Sequence, residues 1–347
     1  MPLAGGRAGV RGAKSEKRLI FAQDMNALTE KLPSVSVVMC TYNGERFLEE
    51  QMDSILSQDY PLLEVIVQDD GSSDDTVDIL HRYARRDARV HVYRNERQLG
   101  INRNFHTALL RARGELVAVA DQDDIWFPQK VRRQVECIGQ AVLCYSDHYA
   151  DERYELPLKR LVSPRASFEQ QLFSSNVAGH TMLLRTDFVR SIKEWDYHTY
   201  YDWWLVLHAH LRSSIVHLHE ALNWHRHYEG SATTHVYRRG FYEAVPHPTW
   251  QPYVFGVFHR LHLQNQPNWR RFYGYWARVI DARRFPLQHT IARLMLRRDP
   301  LALLHLCYLC LHHRYSIYPR PEESWRGRLR AFCYPLISAY GNDFFKL

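Results

Sequence analysis

The 347-residue chain lacks any apolar run near the ~18–20 residues needed to cross a bilayer, which argues against an integral helical protein. Its longest apolar stretches, 35–40 and 301–311, are far too short. No secretory leader is evident. Arg7, Arg11, Lys14, Lys17 and Arg18 precede no hydrophobic segment of the required length, so the expected location is the cytoplasm. Cysteine is scarce: the six at positions 40, 137, 144, 307, 310 and 333 do not form the pattern of a disulfide scaffold. Cys307 and Cys310 make a single CxxC in an apolar helical stretch. Packing is expected there, because a structural zinc site normally takes four ligands. Repeats and low-complexity tracts are also missing. With 46% hydrophobic and 13% aromatic residues, overall disorder is excluded. The length suggests about two domains.

Lysine is absent between Arg260 and Arg330, where fourteen arginines stand against Asp281, Asp299, Glu322 and Glu323. The net charge of +7 is therefore concentrated in the C-terminal third, on a slightly acidic body. Such asymmetry suggests an anionic partner surface, membrane or nucleic acid. The alternative is that these arginines solvate amphipathic helices and pair locally.

Along the chain, residues 1–33 read as a tail with a short helix near Asp24 to Lys31. From Ser34 the pattern alternates. Strands are expected at 35–40, 63–67, 90–93, 116–120 and 142–145, with helices at 46–58, from Ser72 past Ala84, at 102–113 and at 129–139. Ser72, three residues before Asp75, resembles a capping signal. Strands alternating with helices predict an α/β fold with a mostly parallel sheet.

In such a sheet every strand-to-helix loop emerges at the carboxyl edge, where ligands bind. Three loops belong there: Thr41-Tyr-Asn-Gly44, Gln68-Asp-Asp-Gly-Ser72 and Asp121-Gln-Asp-Asp124. Asp69, Asp70, Asp121, Asp123 and Asp124 should thus converge on one cleft. Five carboxylates on one rim repel one another unless a cation or hydrogen-bond donors offset them. Asp121 and Asp123, two apart after an apolar strand, can serve one hard divalent cation directly or through water. Mg2+ or Mn2+, bound together with a substrate's phosphates, suits such a site.

These motifs resemble the donor-binding half of the family 2 glycosyltransferases, inverting enzymes with a GT-A fold. Residues 37–44, 67–76, 95–104 and 120–128 resemble the family's segments in order and spacing, and the likeness continues more loosely to about residue 235. The resemblance implies a GT-A domain over 34–240, with a nucleotide-sugar half (34–130) and an acceptor half (131–240), followed by a helical basic region over 241–347. It implies a nucleotide-sugar site at Thr41, Tyr42, Asn43, Glu45, Asp69, Asp70, Asn104, Asp121, Gln122 and His227. Asp69 would accept the N3–H of uracil or thymine. Metal ligands would be Asp121, Asp123 and His227, with Asp123 foremost. The segment 200–205 resembles the position of the family's catalytic carboxylate, which makes Asp202 the candidate base; the alternative is a helix N-terminal residue stabilised by the dipole. His225 stands where the family places an arginine, with Arg226 beside it. The likeness is to bacterial O-antigen and capsule transferases, rhamnosyltransferases among them.

The expected reaction moves a sugar from a UDP- or dTDP-sugar to a hydroxyl of a glycan or lipid-linked glycan. An alcohol attacks poorly at neutral pH, so a carboxylate must take its proton. A cation must offset charge on the departing diphosphate. Trp203 and Trp204 are either a wall against a sugar or core. His217 and His219 would share a strand face, with no third ligand apparent. A sugar-nucleotidyltransferase would want a glycine-rich basic loop after the first strand, whereas Thr41-Tyr-Asn-Gly-Glu-Arg46 has one glycine and an acid. A non-catalytic carbohydrate- or nucleic-acid-binding protein is the other alternative, which the basic C-terminal third favours. Yet a nucleic-acid binder gains little from five acids on one rim, so nucleic acid is not expected as partner. The stretch 285–318 mixes Leu287, Ile291, Leu294, Met295, Leu301, Leu304 and Leu311 with Arg293, Arg297, Arg298 and Arg314. It reads either as an interfacial segment on the inner face of an anionic plasma membrane or as helices packed on the body.

Overall fold

The computed structural model describes residues 32–228, 250–319 and 321–341. Most of the expected N-terminal tail and the boundary expected at 240–241 lie outside the described residues.

The apolar runs form β1 (Val35–Thr41), β2 (Leu62–Asp69), β3 (Val90–Arg94) and β4 (Leu116–Ala120), joined by helices α1 (Leu48–Leu56), α2 (Thr76–Arg86) and α3 (Ile101–Arg111). These strands pair in parallel in the order β3-β2-β1-β4. All five residues of β4 are buried, as a central parallel strand covered on both faces requires. Ser72 does not cap α2. Its hydroxyl bonds Asp69 instead, while Asp74 Oδ1 accepts from the Thr76 amide at 3.1 Å where the helix begins.

Past β4 the sheet becomes mixed. The chain forms β5 (Ile125–Trp126), α4 (Lys130–Ile138), β6 (Leu143–Asp151), β7 (Leu161–Val162), α5 (Phe168–Gln171), β8 (Met182–Arg185), α6 (Thr186–Ser191), α7 (Tyr201–Leu211) and β9 (Ile215–Arg226). Strand β8 runs antiparallel between β4 and β6, and β9 lies parallel to β6. The full order is β3-β2-β1-β4-β8-β6-β9-β5, with β7 on β6. Parallel pairing therefore governs the first four strands, while the rest is mixed, antiparallel at β8, β7 and β5 and parallel between β6 and β9. Strand β6 extends to Asp151, beyond its apolar stretch, because its polar end pairs with β9.

The C-terminal region is helical: α8 (Gln251–Leu263), α9 (Pro267–Val279), α10 (Pro286–Leu296), α11 (Pro300–His312), α12 (Arg314–Ile317), α13 (Trp325–Phe332) and α14 (Tyr334–Gly341). Four of these, α8 to α11, open with proline in the first turn, where its missing N–H costs nothing. The helices share one core with the α/β body: Trp269, Phe272, Trp276, Ile291 and Met295 pack in the cluster that holds Trp203 and Trp204. Arg260 is buried and caps α10, donating to the carbonyls of Leu294 (2.9 Å) and Arg297 (3.3 Å). The stretch 285–318 is thus not a single interfacial segment. Ile291, Leu294 and Met295 face inward, while Leu301, Leu304 and Tyr308 of α11 remain exposed. Cys307 and Cys310 are buried free thiols on α11. Among the described residues no helix is long and apolar enough to cross a membrane.

Candidate active site

The three loops meet at the carboxyl edge and are stitched to one another. Gln122, from the β4 loop, accepts from the Tyr42 amide at 2.9 Å and donates to the Tyr42 carbonyl at 3.2 Å. A Cβ on Gly44 would collide with the Gln122 amide, so only glycine lets this clamp close. Asn43 has φ of 48°. Its amide donates to Ser72 Oγ, and its side-chain oxygen accepts from the Ser73 amide, both at 2.9 Å. Glu45 accepts from the Asp75 amide at 2.8 Å. Thr41 Oγ1 donates to Asp69 at 3.0 Å.

Asp69 is held within its own loop. Its side chain is fully buried and already accepts from Thr41, from the amides of Gly71 and Ser72, and from the Ser72 hydroxyl. Both oxygens are taken, so it anchors the loop. Asp70 has a similar inward task. It accepts from Asn95 Nδ2 and the Leu99 amide at 2.7 Å and from the Gly100 amide at 2.8 Å, which sets the 95–100 loop. Gly100, with φ of 80°, makes that turn possible. Asn104 is buried on α3 and supports the same loop, accepting from Asn95 at 2.8 Å and donating to the Gln68 carbonyl at 2.9 Å.

At the end of β4, Asp121, Asp124, His180 and His225 bring one ligand atom each within 4.8 Å of one another. Asp124 is fully buried and accepts from His225 Nδ1 at 2.8 Å; His180 lies 3.3 Å from its other oxygen. Burial opposes a charge on His225, yet Asp124, with Asp121 and Asp123 behind it, raises its pKa to about 9. Burial, and then the His225 charge, hold His180 well below its ordinary value. Burial, then Asp124 and Asp123, push Asp121 well up. Asp123 is raised to about 6 by burial and by Asp124. Asp123 stands outside the four-residue group, and its carboxylate bonds the Tyr228 hydroxyl. Carboxylates so crowded that they resist ionisation fit a divalent cation, which would offset them.

His227 lies at the end of β9, its amide donating to the Asp151 carbonyl at 3.1 Å and its ring edge-on to His225 at 5.1 Å. Burial and the His225 charge lower it to about 4, so it is a neutral imidazole at pH 7. Arg226 stacks over Phe47 at 4.0 Å and Trp224 at 4.6 Å, and pairs with Glu50.

Asp202 sits in the first turn of α7, where its carboxylate accepts from the Trp203 amide at 2.7 Å and from the Gly179 amide. Burial nonetheless raises it to about 6. Its charge adds a minor share to the rise of Asp121, after burial, Asp124 and Asp123. Gly179 approaches the Tyr201 hydroxyl so closely that any Cβ would collide with it. Trp203 and Trp204 are core, their indole N–H groups donating to Gln171 (2.7 Å) and Glu194 (3.1 Å) carbonyls.

Nothing local in the sequence ties His180 and Tyr228 to the acidic loop, and His225 stands out only as the residue where the family has an arginine. One signal was available: Asn223, His225 and His227 alternate along a strand and so share a face.

Residues 36–192 match Glycosyl transferase family 2. TuaG of Bacillus subtilis (strain 168) is 37% identical over 119 residues, 34% of this chain and 47% of TuaG. The Escherichia coli UDP-Glc:alpha-D-GlcNAc-diphosphoundecaprenol beta-1,3-glucosyltransferase WfaP is 28% identical over 160 residues, 46% of this chain and 63% of WfaP. The chain thus spans less than two thirds of each of these relatives. Among solved structures, S. aureus TarS 1-349 in complex with UDP-GlcNAc superposes with a TM-score of 0.51 at 18% identity, covering 87% of this chain and 90% of that chain. At that identity the likeness speaks for the fold. Residues 36–192 thus carry the likeness to glycosyltransferase family 2, on a GT-A-type α/β fold.

Proposed function

We propose that this chain is a family 2 glycosyltransferase that moves a sugar from a UDP- or dTDP-linked donor to a hydroxyl of a glycan or lipid-linked glycan, with inversion. The observation that carries the reading is the group of Asp121, Asp124, His180 and His225 gathered within 4.8 Å at the end of β4, with the buried Asp202 carboxylate near enough to add to the rise of Asp121. An inverting displacement needs one base on the acceptor side and charge neutralisation on the leaving-group side. Asp202 takes the acceptor's hydroxyl proton. The freed oxygen attacks the anomeric carbon, and the bond to the diphosphate oxygen breaks on the opposite face. Asp121 and Asp123 would hold Mg2+ or Mn2+, with His227 offering a neutral nitrogen. When bound, that cation supplies Lewis-acid neutralisation of the diphosphate. Gln122, Asn43 and Glu45 keep the loops in register for the donor, and Asp70 and Asn104 shape the segment beneath it. The printed activity of WfaP, with a UDP-sugar donor and a diphosphoundecaprenol-linked acceptor, supports this class of substrates. Thermal-shift screening of nucleotide sugars with Mn2+ present, followed by transfer to a polyprenyl-diphosphate sugar, tests the reading. Stabilisation by a UDP- or dTDP-sugar and a new glycosidic product are expected. Turnover of none of them would overturn it.

The exposed row of Leu301, Leu304 and Tyr308 on α11, with Trp325 and Leu329 on α13, lies in a region rich in arginine. Exposed Arg293, Arg297, Arg298, Arg326 and Arg328 make that region basic. This combination supports peripheral attachment to an anionic membrane on the cytoplasmic side, beside a lipid-linked acceptor. Co-sedimentation with anionic liposomes at low salt, lost at high salt, is the expected result. Recovery in the supernatant at low salt would contradict it.

A further inference from the structure

Strand β9 carries a bulge away from the catalytic loops. His217 pairs with Tyr145 and Leu218 with Ser146, but the next register partner, Asp147, faces Ala221. His219 and Glu220 are therefore extra residues, and a bulge of this kind re-aims side chains. Glu220 is held by Arg133 at 2.9 Å. His219 is turned beside His217, with ring centroids 3.8 Å apart. Opposite them, Asp147 accepts from or faces His217 Nε2 at 2.6 Å. The ligand atoms of Asp147, His217 and His219 all lie within 4.8 Å of one another. The sequence pattern showed two histidines on one strand face, and the fold supplies the third donor from 70 residues away.

We propose that Asp147, His217 and His219 form a second divalent-cation site, selective for a borderline metal of the zinc type. Two imidazoles and one carboxylate are the donor set that Zn2+, Ni2+ or Cu2+ takes in preference to Mg2+. Ligands bonded at about 2.0–2.2 Å sit roughly 3–3.5 Å apart in a tetrahedral shell. A small rotation of the exposed His219 ring closes the set, while Asp147 and His217 need hardly move. Their side chains are only 6% and 14% exposed, so two ligands are fixed and one is adaptable. Tyr145 stacks on His217 at 4.3 Å and holds its ring plane. The only ion-pair partner of Asp147 among the described residues is His217 itself, so a buried carboxylate has no permanent cation beside it. Exposure of His219 leaves the fourth position open to water.

This site is separate from the acidic loops. His148, the residue after Asp147, packs edge-on against His180 at 4.8 Å, on the catalytic side. Alternation along β6 sends Asp147 to the other face. An ion there would pin β6 to β9, whose far end carries Asn223 and His225 into the cleft. Its role is to stiffen the scaffold of the site, with no part in the displacement.

The test is zinc binding by the full chain in excess Mg2+, measured by equilibrium dialysis and elemental analysis. Wild type should retain one more equivalent of Zn2+ than His219→Ala, a surface change that leaves the fold intact. Asp123→Ala should keep that equivalent, which separates it from the catalytic group. Zinc should raise the Tm of wild type more than that of His219→Ala. With Cu2+ as probe, electron paramagnetic resonance should show coupling to two imidazole nitrogens in wild type and to one in His219→Ala. Equal zinc stoichiometry in wild type and His219→Ala would overturn the proposal, as would loss of the extra equivalent in Asp123→Ala alone.

Discussion

Asp124 and His225, 101 residues apart in sequence, form a buried pair with Nδ1 2.8 Å from the carboxylate. With its pKa raised to about 9, the imidazole is charged at neutral pH. Asp124→Asn should destabilise the fold by roughly 3–5 kcal/mol, the usual cost of leaving one buried charge without its partner. Because the folded pKa of His225 lies above its unfolded value, this stabilisation is full below about 6.5 and fades as pH rises through about 9. Urea midpoints of wild type and variant should therefore differ at pH 6 and converge above pH 9. A constant gap across that range would mean the imidazole is neutral.

Turnover should require a divalent cation and collapse in Asp123→Ala with the circular dichroism spectrum unchanged. The crowding that raises Asp121 and Asp123 motivates this. Full activity in excess chelator would remove the cation from the account.

Lys130 is fully buried on α4, its ammonium without a hydrogen-bond partner among the described residues and 5.0 Å from the Trp126 ring. Burial lowers it to about 7. Its folded pKa is depressed, so the penalty is full below about 7 and shrinks as pH rises toward the ordinary lysine value. Lys130→Met should stabilise by roughly 1–4 kcal/mol. The gain in urea midpoint should be larger at pH 6 than at pH 9. Destabilisation at both pH values would show that the ammonium has a partner the fold depends on.

Asp69→Ala should lower stability by about 1–3 kcal/mol, because the donors of Thr41, Gly71 and Ser72 lose their acceptor. A Tm equal to wild type, with weakened nucleotide binding alone, would assign Asp69 the role of base reader.

Much of this was legible in the sequence for a local reason. Val35–Thr41 and Leu116–Ala120 are continuous apolar runs, and each ends in the loop that carries its polar residues. Topology then fixed the edge on which Asp121 and Asp123 emerge. What stayed illegible depends on distant partners. Asp69 and Asp70 look alike in sequence with Asp121, but only the fold shows that backbone amides already occupy them. The short strands Met182–Arg185 and Ile125–Trp126 carry too few residues for a periodic signal, so the mixed half of the sheet was not foreseen. The C-terminal leucines divide between core and surface according to which neighbours they meet, and a helical pattern alone does not choose.

The most direct test of the central claim is the pH dependence of kcat for wild type and Asp202→Asn at saturating donor, acceptor and Mn2+. Burial sets Asp202 near 6, and a base must be ionised, so wild-type kcat should rise through about pH 6 and level off above it. Asp202→Asn should lose a factor on the order of 10² to 10⁴ in kcat, the share of a general base, keep its donor affinity and lose that acid limb. A variant that retains kcat with the same limb would contradict the account.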